Sequence, residues 1–160
     1  MPTFELEEST FAGFIEDDEV YAARVESVRV AEKPYTDDAG NKVKKVEFKF
    51  TLIDPDGPHD GDNLWGETTT KFNTHPDCKL RNWSQAILGQ VLPAGYVLDT
   101  DVLVGQECRV IIGWKEYEDK DKPIDPATGK RPMKERNWVK EVMPTSEAMD
   151  RMAHPNEEPF

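Results

Sequence analysis

Residues 45–52 read Lys-Val-Glu-Phe-Lys-Phe-Thr-Leu, and no other stretch limits the fold as much. Val46, Phe48, Phe50 and Leu52 fall on one side of an extended strand, and Lys45, Glu47, Lys49 and Thr51 on the other. Such a strand needs an apolar layer against one face and leaves the other free for water or a polar ligand.

The neighbouring segments extend this pattern. Residues 20–33 form a first strand with Val20, Ala22, Val28 and Val30, and a turn cluster at Asp37-Asp38-Ala39-Gly40-Asn41 leads into the second. After the loop Asp54–Gly61, residues 64–72 make a third strand with three successive threonines. The period then changes. Thr74-x-x-Asp77 has the form of a helix start, and Leu80, Trp83 and Ile87 share one helical face until Gly89 and Pro93 end it. Cys108–Trp114 is a fourth strand with Cys108, Val110, Ile112 and Trp114 facing the core. Residues 116–135 are a long polar loop, and residues 136–143 a short fifth strand. The fold class is all-β with one helix. The order β-β-β-α-β-β is that of a five-stranded, OB-fold-like Greek-key barrel, with the helix plugging one end.

Charge divides the chain into three parts. The formal total is −12, the wrong sign for a nucleic-acid ligand. Residues 1–19 carry seven acids and no base, and residues 144–160 carry four acids and Arg151. With −7 and −3 set aside, −2 remains of the −12 for residues 20–143. The expected organisation is therefore an acidic N-terminal segment (1–19), a barrel domain (20–143) and an acidic C-terminal tail (144–160). Residues 145–152 could form a brief helix within that tail. The start, Met-Pro-Thr-Phe-Glu-Leu-Glu-Glu, is acidic where a secretory signal is basic and apolar. The longest aliphatic run, Val110-Ile111-Ile112, is far too short for a membrane span. A cytoplasmic protein without membrane association is expected, and with it two reduced cysteines, Cys78 and Cys108.

The last four residues are Glu157-Glu158-Pro159-Phe160. A stiff proline, a terminal ring beside its own carboxylate, and two further acids suit a partner's apolar pocket with a basic rim. This tip resembles the acidic, Pro-Phe-ended terminus of bacterial single-stranded DNA-binding proteins, whose phage counterparts also end in acid plus Phe. Lys71–Trp83 is similar to a segment of actinobacteriophage proteins. The resemblance implies a protein that coats exposed single-stranded DNA in replication or recombination. It also implies that replication or recombination proteins are recruited through Glu157, Glu158, Pro159 and Phe160, in the bacterial host cytoplasm if the gene is phage-encoded. Homo-oligomers are compatible with it. Acidic tails then act as mobile competitors for a cationic groove. This chain departs from the pattern in having two Glu in place of a run of Asp, and a short linker before them.

An OB-fold binds strands over its second and third strands, between the loops joining strands one to two and four to five. Cations there track phosphates and aromatic rings stack on bases. Lys42, Lys44, Lys45 and Lys49 against Glu47 give residues 42–51 a net +3. Lys130, Arg131, Lys134, Arg136 and Lys140 against Glu135 give residues 130–140 a net +4. Arg136, Trp138 and Lys140 share parity, an aromatic between two cations. Trp138 either stacks outward or turns into the barrel with Val139 facing out. Trp65 shares parity with Thr69 and Lys71, and serves stacking or core packing. Tyr35 and Tyr117 sit in the two groove-lining loops. Trp83 and Trp114 are expected in the core.

Catalytic and metal motifs are missing. His75 and Cys78 lack a second ligand pair at zinc spacing. The acidic loop 54–62 fails the calcium-loop pattern, with Trp65 at its twelfth position. Gly-x-Ser-x-Gly, phosphate-binding glycine loops and His-Glu-x-x-His do not occur. The expectation is a non-enzyme without cofactor or metal. Its rival is an acidic OB-like protein-interaction module, a phage–host adaptor or DNA mimic that binds no nucleic acid.

Overall fold

The computed structural model describes residues 13–31, 35–36, 39–40 and 42–153, with the Tyr35 side chain outside that description. Strand β1 is Glu19–Val30. Two short strands, β2 (Tyr35–Thr36) and β3 (Lys42–Val43), pair as a small hairpin in the turn that follows. Strands β4 (Lys45–Ile53) and β5 (Asn63–Thr69) precede helix α1 (Lys79–Leu88). A short 3-10 turn, Thr100–Val102, leads to β6 (Glu107–Glu118) and β7 (Met133–Met143), and helix α2 (Ser146–Ala153) follows. The main sheet is five-stranded and antiparallel, in the order β5-β4-β1-β6-β7.

The alternation in β4 holds throughout. Val46, Phe48, Phe50 and Leu52 are buried, while Lys45, Glu47, Lys49 and Thr51 are only partly covered. The buried row packs against α1, where Phe48 and Phe50 meet the Trp83 ring edge-on at 5.3 and 6.0 Å between centroids. Leu80, Trp83 and Ile87 all face the core. The sheet curls enough that its outer strands approach each other: a Cβ placed on Gly66 of β5 would lie 3.1 Å from Val139 Cβ of β7. No ladder joins β5 to β7 among the described residues. The sheet is open and barrel-like.

The structure departs from the sequence reading in four places. The one-helix fold class is exceeded by a second helix, α2, which forms where the sequence allows a brief helix at 145–152, with Ala148 buried against Gly89. Helix α1 begins at Lys79, not at Thr74. Cys78 occupies its N-cap without a side-chain capping bond to the helix, and residues 73–78 close a tight turn in which the Asn73 side chain and the His75 ring accept from the amides of His75 and Asp77. The polar loop is shorter than expected, since β6 runs to Glu118 and β7 starts at Met133. Tyr117 and Lys134 therefore lie in strands. Trp114 is 37% exposed and not in the core. β1 begins at Glu19, opposite Ile112, so beyond that point β6 and β7 continue as a two-stranded arm, with no third strand over Trp114 among the described residues.

Candidate nucleic-acid interface

A groove of about 1080 Å³ lies across the outer face of β4 and β5 and is walled by β7 and the turn before α1. Five of the expected ligand residues line it together: Lys45, Trp65, Lys71, Arg136 and Trp138. Alternation explains the rings. Gly66 and Thr68 of β5 point inward, so Trp65 points out and is 49% exposed. On β7, Val139 takes the core position at 1% exposure, so Trp138 is left half-buried on the groove wall. Each ring has a cation nearby. Lys49 Nζ, directly across from Trp65 in the β4–β5 register, is 5.5 Å from that ring's centroid. The Arg136 guanidinium is 5.9 Å from the Trp138 ring.

Trp138 rests on a glycine. Gly113 is its direct cross-strand neighbour, and a Cβ there would come within 2.5 Å of the indole. Only a bare backbone lets the ring lie that close.

Three further cations line the groove that sequence reasoning did not select: Arg29, Lys79 and Lys115. Lys115 pairs with Arg136 across the arm, a register fixed only by folding. Lys79 reaches the groove because α1 starts at its rim, and four residues on lies Trp83, whose ring centroid is 4.7 Å from the ammonium. Crowding by the groove wall disfavours charge on Lys79 and lowers its pKa, against an opposite pull from Glu141 and Glu67. The spacing Lys79-x-x-x-Trp83 was the one legible signal. Among the groove residues, six cations (Arg29, Lys45, Lys71, Lys79, Lys115, Arg136) face three carboxylates (Glu47, Glu67, Asp77). Glu47 and Glu67 oppose each other across the β4–β5 ladder, and each is held by a base: Arg29 Nε to Glu47 at 2.7 Å, Lys45 Nζ to Glu67 at 3.2 Å. Lys71, Lys79, Lys115 and Arg136 have no acid within ion-pair distance among the described residues.

Other expected ligands lie elsewhere. Lys42 and Lys44 are exposed at the β2–β3 hairpin, and Lys130 is exposed in the loop after β6. Arg131 bonds the Lys122 carbonyl at 3.1 Å and lies 3.7 Å from Glu118. Lys134 is tied to the buried carboxylate of Asp119 at 3.3 Å, and that hydrogen bond raises its pKa. Tyr117 is exposed on the arm, on the face that carries Lys115, Arg136 and Lys134. Lys140 shares parity with Arg136 and Trp138 in the sequence, but a bulge between Ile111 and Ile112 of the ladder breaks that parity. Its ammonium instead meets Asp18 at 2.8 Å and Asp17 at 3.7 Å, and the Asp18 bond raises its pKa. The Tyr35 side chain and the tip residues Glu157, Glu158, Pro159 and Phe160 lie outside the described residues.

Both cysteines are buried and free, and Cys78 also lines the groove. Burial pushes the Cys108 thiol up to about 12, so it remains a small apolar filler. Cys78 holds the turn before α1, its Sγ donating to the Lys71 carbonyl at 3.2 Å. No helix among the described residues is long and apolar enough to cross a membrane. No model of a known protein family matches the chain, and no curated protein does.

Proposed function

We propose that this chain binds single-stranded DNA in the groove over β4 and β5, as an OB-fold protein that coats exposed strands during replication or recombination. The observation that carries the reading is the presence of Trp65 and Trp138 on one open groove, each with a cation beside its ring, and of Lys71, Lys79, Lys115 and Arg136 in the same lining with no acid within ion-pair distance among the described residues. Bases stack on rings without regard to sequence, and the cations meet the phosphates. Support for the OB-fold comes from the strand order β5-β4-β1-β6-β7, from α1 lying between the third and fourth long strands, and from the approach of β5 to β7. On this reading the protein is not an enzyme. It works in the cytoplasm, of a bacterial host if phage-encoded, and recruits replication or recombination partners through Glu157–Phe160. Self-association would be compatible with that role.

Titration with oligo-dT tests the reading. Tryptophan emission should quench, and Trp65→Ala and Trp138→Ala should each weaken binding by about 1–3 kcal/mol, the usual worth of one base stack. Trp114→Ala should bind like the parent. Duplex DNA should compete poorly, since its bases are already stacked. Absence of both quenching and a mobility shift at low salt would remove the reading. The second reading, an acidic protein-interaction module, would then take its place. It is favoured by the total charge of −12 and by the carboxylates that neutralise Lys134 and Lys140.

A further inference from the structure

Acidic residues ahead of β1 look, by charge alone, like a segment that would repel DNA or compete with it for the groove. Their contacts give them a different task. The Asn137 side chain, next to Trp138 in β7, makes three bonds. Its Oδ1 accepts from the Ile15 amide at 2.8 Å, and its Nδ2 donates to the Ile15 carbonyl at 2.8 Å and to the Gly113 carbonyl at 3.0 Å. Gly113 is the residue on which the Trp138 ring rests. On the other side of Trp138, Lys140 is held by Asp17 and Asp18. Asp17 also accepts from the Trp114 amide at 3.2 Å, and the Asp18 amide donates to the Ile112 carbonyl at 2.9 Å. Ile15 is buried in the core at 4% exposure. Residues 15–18 thus grip the root of the arm on both sides of Trp138 and on the strand beneath it.

We propose that Asn137 and residues 15–18 form a clasp that positions Trp138, so that this acidic segment strengthens single-strand binding instead of opposing it. The inference rests on the groove reading above for its ligand, but not for its geometry. Asn137 acts here as a positioning residue, since it bonds the backbone of Ile15 and of Gly113, on which the ring rests, and does not line the groove. A ring held before the ligand arrives loses less freedom on stacking, which is the general advantage of preorganisation.

The test uses the full chain labelled with 5-fluorotryptophan, with the four ¹⁹F resonances assigned by single Trp→Phe changes. In Asn137→Ala without DNA, the Trp138 resonance should shift or broaden while that of Trp83, in the core, stays put. The same variant should bind oligo-dT about fivefold or more weakly, equivalent to the lower end of one base stack. An unmoved Trp138 resonance, or unchanged affinity, overturns the clasp. Asp17→Asn/Asp18→Asn provides a second variant that is gentler on the fold and removes two negative charges. A competing segment predicts severalfold tighter binding in that variant, and such tightening would also overturn the proposal; the clasp predicts binding that is no tighter. If the parent itself fails to bind oligo-dT, the groove reading falls, and the claim about the ring is still decided by the ¹⁹F spectrum.

Discussion

Lys79 is an exposed lysine whose immediate surroundings disfavour its charge. It stands in the first turn of α1, where the helix dipole is already positive, and no acid shares that turn. Crowding in the groove wall lowers its pKa from the usual 10.5. For a base, a lowered folded-state pKa means that the charge opposes folding at every pH below that value. The opposition fades as pH rises through the folded pKa towards 10.5. Lys79→Met should therefore melt no lower than the parent at neutral pH, with any advantage shrinking in alkaline buffer. The same change should weaken oligo-dT binding and flatten its salt dependence by about one unit of slope, the loss of one phosphate contact. A variant that melts earlier and binds as before would show Lys79 to be a packing residue. The same logic separates the other cations. Lys134 and Lys140 have raised pKa values because carboxylates hold them, and their charge is already answered within the fold.

At the scale of elements, two glycines let rings pack closely against the strands beside the groove. A Cβ on Gly66 would come within 2.5 Å of the Trp83 ring, and one on Gly113 within 2.5 Å of Trp138. Gly66→Ala forces the core apart between β5, α1 and β7 and should cost about 1–3 kcal/mol in urea unfolding. Gly113→Ala pushes a ring that borders open solvent, so it should lose less stability but weaken oligo-dT binding. Equal losses of stability in the two variants would count against this division. The sequence carries these elements unevenly. The alternation of β4 and the Leu80, Trp83, Ile87 stripe are local signals, and each is decided by its own residues. Trp114 shares parity with Cys108, Val110 and Ile112, but whether that face is covered depends on where β1 begins, at Glu19, far away in the chain. Lys140 shares parity with Trp138, and a bulge cancels it. The cations Arg29 and Lys115 reach the groove only through strand pairing. Residue identity therefore revealed the rings and the kind of surface, while the choice of cations required the register.

For the whole molecule, the question is how a chain of net charge −12 holds a polyanion. Separation is the physical answer. At about 0.1 M salt, charges more than roughly 10 Å apart in water scarcely feel each other, so only acids nearer than that bear strongly on a strand already seated in the groove. What the strand meets is local: six cations against three carboxylates, of which two are held by Arg29 and Lys45. If Lys71, Lys79, Lys115 and Arg136 each contact a phosphate, counterion release gives log K against log salt a slope of about −3 for a single strand. The distant acids add an opposing trend, because lowering the salt extends their repulsion. The slope should therefore be steepest above about 0.1 M and flatten below it, where an unopposed basic surface would remain linear. Oligo-dT titrations across that range decide the matter. A slope near zero throughout would mean that stacking on Trp65 and Trp138 acts alone. Binding that tightens as salt rises would mean that the strand lies against the acids, and the groove would be the wrong site.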